Sequence, residues 1–361
     1  MIPKTMKAMV LTRFGDFDAL EWHEDWPVPS PAAGEVLIEV GACGLNNTDV
    51  NTRSGWYAKS VTSGTTGGAY EEVTEGQGAW GGGSIFPRIQ GADVCGRIVA
   101  VGAGVAEARI GERVLCDTWI RPAPGEAGAT AGYIGSERDG GFADYTALPS
   151  ENAIAIDSDL SDAELATFPC SYATAEGMLS RAGVGAGDRV LITGASGGVG
   201  SALVQLAKRR GAQVIALASE AKHDDLRPLG PDHLLGRGPE DLAGALEAAT
   251  GAAKVDVVAD IVGGDYFPTL IDCLDRGGRY VTSGAIAGPI VSLDLRTLHL
   301  QDLTFHGSTI TSAQNFRDLV GYIERGEVRP VLAATYPLAD LKAAQQAFID
   351  KTHVGNIVVT P

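Results

Sequence analysis

"VLITGASGGVGSALVQLAKRRG", Val190 to Gly211, is the stretch on which the fold turns. An apolar strand, Val190 to Thr193, runs into Gly194-Ala195-Ser196-Gly197-Gly198-Val199-Gly200, and an amphipathic helix begins at once. Glycine allows the tight turn and the close approach of backbone to a pyrophosphate, whose charge is met by the helix N-terminus. The spacing Ala195-x-Gly197-x-x-Gly200 is the dinucleotide fingerprint with its first glycine replaced by alanine. A glycine-rich match alone is weak evidence. Here the strand before it, the helix after it and the β/α units that follow carry the assignment. Ala195, Ser196, Gly197, Gly198, Val199 and Gly200 are therefore the expected cofactor cradle.

Outward from this loop, short apolar strands alternate with helices from about Ser161 to Ser308: "RVLITG", "QVIALAS", "HLLG", "VDVVADIVG", "RYVTSG" and "LTFHGST". Strands of this length joined by helical crossovers form a parallel, doubly wound sheet. "SDAELATFPCSYATAEGMLSRAG" opens with a capping box, Ser161 to Glu164, and reads as helix with a break at Pro169. Residues from Met6 to about Ile156 read instead as strands and turns, a β-rich domain. The tail, with two helices and the strands "VLAATYPL" and "NIVVTP", is expected to return to that first domain, because six strands of the parallel sheet are already assigned. The expected division is 1–170, 171–308 and 309–361.

Composition narrows the function classes. A chain of 361 residues exceeds what one hydrophobic core comfortably fills. Lys plus Arg 28 against Asp plus Glu 45 leaves a net charge of −17, which repels nucleic-acid backbones and anionic membrane surfaces. No apolar run reaches the ~18 residues of a membrane span, and the first residues lack the pattern of a secretory signal. Five cysteines, with no C-x-x-C pair, fit reduced thiols and a cytoplasmic setting better than a disulfide framework. Between Gly55 and Pro87 lies a Gly-, Ser- and Thr-rich stretch carrying Trp56, Tyr57, Tyr70, Trp80 and Phe86, which reads either as disorder or as a lid that docks through its aromatics.

The second strand of the parallel sheet ends at Ser219, where NAD-binding proteins usually place a carboxylate on the ribose 2′-hydroxyl, and Lys222 follows. A hydroxyl and an ammonium accept a 2′-phosphate that a carboxylate would repel, so NADPH is the expected cofactor. The alternative for Lys222 is a solvated charge at a helix start.

"TGASGGVG", "FPRIQGADVCGRIVAVGAGV", "GGFADY" and the ending "HVGNIVVTP" resemble the medium-chain dehydrogenase/reductase superfamily, and within it the zinc-independent quinone oxidoreductase and enoyl reductase branch. The resemblance spans nearly the whole chain. It implies a GroES-like catalytic domain, a Rossmann domain, an active site in the cleft between them and a homodimer. In the zinc dehydrogenases of this superfamily the loop matching "ACGLNNTDV" carries a cysteine ligand, and here that position is Asn46. The histidine ligand matches Ala92, and only the last cysteine ligand is kept, as Cys170 in "FPCSYATA". One thiolate cannot assemble the three-ligand site of catalytic zinc, so no zinc is expected.

The same resemblance puts Asn46 at an active-site asparagine, Thr48 at the hydroxyl of a proton relay and Thr174 beside the nicotinamide. A polar turn, a helix-facing hydroxyl and, for Cys170, a small buried residue are the alternatives. Hydride delivery to the β-carbon of a quinone, enone or enoyl thioester then leaves an enolate, and Asn46, Thr48 and Tyr57 are the expected catalytic donors to it. An alcohol or aldehyde dehydrogenase, or a nucleotide-binding protein without activity, is the rival reading.

Overall fold

The computed structural model describes residues 1–65, 86–122 and 131–361. The part of the expected lid between residues 66 and 85, with Tyr70 and Trp80, lies outside the described residues.

The N-terminal region is β-rich. A three-stranded sheet joins β1 (Thr5–Leu11), β2 (Leu20–Pro27) and, further on, β4 (Arg88–Ile89). The long β3 (Glu35–Gly44) ends in helix α1 (Asn47–Ser54) and pairs antiparallel with β5 (Asp93–Val101). Beyond them come β6 (Arg113–Cys116), the short pair β7 (Trp119–Ile120) and β8 (Gly132–Tyr133), then β9 (Tyr145–Pro149) and β10 (Ala153–Ala155). The capping box closes as expected, with Glu164 N donating to Ser161 Oγ and Ser161 N to Glu164 Oε2, and starts α2 (Asp162–Leu165). Pro169 does not interrupt one helix but opens the next, α3 (Pro169–Arg181), at its first turn, where its missing N–H costs nothing.

The parallel sheet follows. Strand β11 (Arg189–Ile192), helix α4 (Gly198–Arg209), β12 (Gln213–Leu217), the single turn α5 (His223–Leu226) and β13 (His233–Leu235) form its first half. Helix α6 (Leu242–Thr250), β14 (Val255–Asp260), α7 (Phe267–Asp272), β15 (Leu274–Thr282), α8 (Leu295–Leu300) and β16 (Thr304–Gly307) form the second. The strand order β13-β12-β11-β14-β15-β16 makes the fold α/β, a Rossmann-type doubly wound sheet joined to a GroES-like β domain. Its order reverses beside β11, so the glycine loop leaves the sheet at the switch point where crevices form. Thr193, expected in the strand, instead follows it and donates from Oγ1 to the buried Asp260 at 2.5 Å.

The tail crosses back. After α9 (Ala313–Glu324), β17 (Leu332–Pro337) and, past α10 (Leu341–Asp350), β18 (Asn356–Thr360) join the sheet of β3 and β5, β18 pairing with Cys43 and Gly44 of β3. Separate cores fill the two regions, one around Met9, Ile38, Val94 and Phe142, the other on both faces of the parallel sheet. Among the described residues no helix is long and apolar enough to cross a membrane.

Candidate active site

Where β3 ends, the backbone at Asn46 is extended and its N–H donates to Asp49 Oδ2 at 2.8 Å, a bond that starts α1. The Asn46 side chain also reaches the start of β5. Its Nδ2 donates to Asp93 Oδ2 at 2.9 Å, and Asp93 Oδ1 accepts from Cys170 N at 2.8 Å. Asp49 Oδ1 in turn accepts from Gly91 N at 3.2 Å. The turn and the site, alternatives in the sequence, are one feature.

Burial raises both carboxylates, Asp49 to about 7 and Asp93 to about 8, against the hydrogen bonds that lower them. Cys170 lies beside this pair. Burial first, then the charge of Asp93, pushes its thiol well up, so it stays protonated, while Tyr133 and Thr174 hydrogen-bond to it. Tyr133 is also buried and its phenol is pushed up by desolvation. The result is a buried hydrogen-bonded network that joins Asn46, Asp93, the main-chain N–H and thiol of Cys170, Tyr133 and Thr174.

These residues line a cleft between the two regions. Asn46, Asn47, Thr48, Tyr57, Tyr133, Cys170 and Thr174 face Gly198 and Val199 of the glycine loop and the segment Ser283 to Ile286 after β15. Thr48 Oγ1 has no hydrogen-bond partner among the described residues, so its hydroxyl is available to a substrate. Tyr57 packs edge-on against Trp56, whose Nε1 donates to Ser63 O at 2.8 Å. Thr65 N then reaches across the cleft to Ile286 O at 2.9 Å. The described start of the expected lid therefore bridges to the nucleotide side.

The glycine loop fits a dinucleotide. Gly194 has φ 58°, and a side chain at Gly200 would run into the Gly194 carbonyl, so helix and strand close only with glycine there. Helix α4 begins with the N–H groups of Gly198 and Val199 at the cleft wall, positive ends suited to phosphate. Ala195, Ser196, Gly197 and Gly200 form the turn behind them, with Ala195 N held by Leu217 O at 3.1 Å. Ser219 follows β12, as the sequence places it. Lys222 is not a solvated charge: its Nζ donates to Lys351 O at 2.6 Å and His353 O at 2.8 Å. Arg237, exposed just after β13, is the neighbouring cation whose charge lowers Lys222, and the strand-by-strand reading of the sequence missed it.

The residues do not fit a zinc dehydrogenase site. The Asn46 amide is bonded to Asp93, Ala92 has no ligating atom, and the Cys170 thiol is held protonated. Among the described residues no group of three or more His, Cys, Asp or Glu is arranged to hold a metal ion.

Residues 32–158 match the family profile "alcohol dehydrogenase GroES-like domain" and residues 198–325 match "zinc-binding dehydrogenase". A solved structure of a proposed alcohol dehydrogenase from Sinorhizobium meliloti is 50% identical, with a TM-score of 0.92, over 100% of this chain and 98% of that one. The quinone oxidoreductase of Rattus norvegicus is 26% identical over 95% of this chain and 93% of its own length. The chloroplastic NADPH-dependent alkenal/one oxidoreductase of Arabidopsis thaliana is 27% identical over 100% of this chain and 81% of its own.

The raised carboxylates set a pH dependence. A carboxyl whose folded pKa lies above its unfolded value of about 4 stabilises the fold fully below pH 4 and loses that contribution as pH rises towards the folded value. Urea midpoints should therefore fall between about pH 5 and pH 8, the window set by Asp49 and Asp93. In Asp93→Asn the fall should be visibly shallower, and an unchanged slope would show that Asp93 is ionised in the fold.

Proposed function

The chain belongs to the medium-chain dehydrogenase/reductase superfamily, and from that premise we propose that it is a zinc-independent, NADPH-dependent reductase of activated C=C bonds in quinones, enones or enoyl thioesters. The observation that carries the reading is the hydrogen-bonded network at the cleft floor: at the positions matching metal ligands, the Asn46 amide donates to Asp93, Asp93 accepts from the main-chain N–H of Cys170, and burial holds the Cys170 thiol protonated.

When bound, NADPH supplies the hydride. The chain's own residues must orient the conjugated carbonyl and meet the enolate charge that develops on its oxygen. Thr48 offers an uncommitted hydroxyl, and Asn46 keeps one amide hydrogen after bonding Asp93. Tyr57 stands at the cleft mouth beside Trp56. Tyr133, which sequence reading missed, lines the same cleft with a phenol kept protonated by burial, and we assign it the proton donated to the enolate. Thr174, one helical turn after Cys170 on α3, positions the nicotinamide side of the cleft.

The likeness to the Sinorhizobium meliloti protein favours a second reading, alcohol oxidation. One experiment separates them. NADPH should be oxidised with an alkenal or a quinone, with well under one zinc per chain and no loss on chelation, and Tyr133→Phe should lower kcat about 100-fold. NADP-dependent oxidation of alcohols that is lost on chelation establishes the second reading instead. Tight NADPH binding with no turnover of any conjugated carbonyl leaves a nucleotide-binding protein without activity.

For NADPH over NADH, the support is Ser219 in place of a carboxylate, with Lys222 three residues on and Arg237 close enough to lower it. A charge-assisted hydrogen bond contributes about 1.5–3 kcal/mol, so Arg237→Ala should weaken NADPH about tenfold to a hundredfold and NADH little. Ser219→Asp should turn the preference towards NADH. Equal losses for both nucleotides in Arg237→Ala would remove that residue from 2′-phosphate recognition.

A homodimer is proposed on the exposed apolar side chains Ile290, Val291, Leu295, Leu300 and Ile310 around β16, the open edge of the parallel sheet. The setting is taken as cytoplasmic, in keeping with five free thiols. Sedimentation should give twice the chain mass of 37.4 kDa. A single-chain mass at micromolar concentration would reject the dimer.

A further inference from the structure

Tyr133 reaches the cleft on a small platform. β7 and β8 pair Trp119 with Tyr133 and Ile120 with Gly132, and the Trp119 and Tyr133 rings meet edge-on with centroids 4.8 Å apart. A two-stranded pair this short is not stable by itself in water, so what places it lies outside it. Asp117, just before β7, is buried, and its Oδ1 accepts from Trp119 N at 3.2 Å. From the turn before β10, Asn152 Nδ2 donates to Asp117 O at 2.7 Å and to Trp119 O at 2.9 Å.

Arg121, just after β7, ties this platform to the other region. Its Nη1 donates to Asp117 Oδ2 at 2.6 Å and to Trp119 O at 3.1 Å, so the residues flanking β7 are locked to each other. Its Nε donates to Thr311 O at 2.9 Å, 190 positions on. Thr311 lies between β16, the last parallel strand, and α9, just past Thr309, which lines the cleft. That anchor is itself fixed: Thr311 is buried, and a side chain at Gly177 of α3 would begin 2.5 Å from its methyl, so it seats against the bare backbone of the helix that carries Cys170 and Thr174. The platform thus reaches α3 twice, directly through the Tyr133 phenol bonded to Cys170 and indirectly through Arg121 and Thr311. Two attachments fix a direction where one would leave a hinge. Burial raises Asp117 against the hydrogen bond and charge of Arg121, and without the cation its carboxylate would be left buried and unpaired.

We propose that Arg121 is a positioning residue for the reaction: by joining Asp117 to the main chain of Thr311 it holds the Tyr133 phenol at the place in the cleft where a proton is delivered. The proposal rests on the reading of Tyr133 as proton donor given above. Proton transfer needs donor and acceptor within hydrogen-bond reach, and a shift of about 1 Å costs about 100-fold. Arg121 touches neither substrate nor cofactor in this scheme and acts only through the hairpin.

The test is a double-mutant cycle on NADPH oxidation with an alkenal or a quinone, comparing wild type, Arg121→Met, Tyr133→Phe and the double variant at saturating substrate. Arg121→Met should lower kcat about tenfold to a hundredfold. The dissociation constant of NADPH should not change, because the partners of Arg121 are Asp117, Trp119 and Thr311 rather than the glycine loop. In the Tyr133→Phe background the same substitution should cost less than about twofold further, since a residue that acts through the phenol has nothing left to act on. A slowed proton step should also raise the heavy-water isotope effect on kcat and lower the effect of deuterium at C4 of NADPH. Arg121→Lys keeps the charge but loses the fork that meets Asp117 and Thr311 together; it should lower kcat less than the methionine variant, and it serves if that variant fails to fold. Full kcat in folded Arg121→Met overturns the proposal, and so do equal losses with and without the phenol, which would make Arg121 a structural tie alone. Full kcat in Tyr133→Phe removes the proton-donor assignment and the proposal with it, whereas a wild type that oxidises NADPH with no conjugated carbonyl fails the reductase reading on which both stand.

Discussion

Two glycine backbones in contact hold this architecture together. Gly197 of the glycine loop and Gly355 of the returning tail form a bridge, with Gly355 N donating to Ser196 O at 2.9 Å. Gly355 has φ 86°, and a side chain there would run into the Val331 carbonyl. A side chain at Gly198 would strike Asn356 and Ser171. The loop's glycines therefore serve two approaches, that of a nucleotide and that of the chain's own tail. Because β18 continues from this contact into pairing with β3, the loop that holds a cofactor and the strand that delivers Asn46 are fixed by the same few residues.

From that contact follows the chemistry of the cleft. Drawing two sheets together buries the end of β3, and Asp49 and Asp93 lose water with it. Each finds backbone or amide donors rather than a cation, so burial prevails and their affinity for protons rises. The thiol and phenol beside them are held neutral by the same loss of solvent. A pocket of this kind donates hydrogen bonds from neutral groups, which suits an oxyanion formed on a carbonyl better than the ionisation of an alcohol.

Local patterns were legible in the sequence; contacts between distant segments were not. The strand–glycine loop–helix unit, the six parallel strands and the capping box at Ser161 are set by neighbours a few residues apart, and all stand where the spacing puts them. The stretch "AKHDDLRPLG" after the second strand is broken into short turns, with Pro228 inside the last of them, Arg227–Leu229. Asn46 was singled out by its loop, but its partner Asp93 lies 47 positions on, and nothing in either local pattern pairs them. Tyr133 sits in a two-residue strand too short to leave a periodic signal. Lys222 is expected on the 2′-phosphate, and no local pattern shows that its ammonium is held by main-chain carbonyls 129 and 131 positions away.

The cleft is spanned on two sides by bonds that differ in kind. At its mouth Thr65 N meets Ile286 O, a neutral backbone contact indifferent to salt and to pH. At the tail, the Lys222 ammonium holds the carbonyls of Lys351 and His353, and the Lys351 ammonium holds Asn47. The second bridge gathers positive charge without compensating it, so its own repulsion works against closure. The contact at the mouth carries no such repulsion and depends on its own geometry alone.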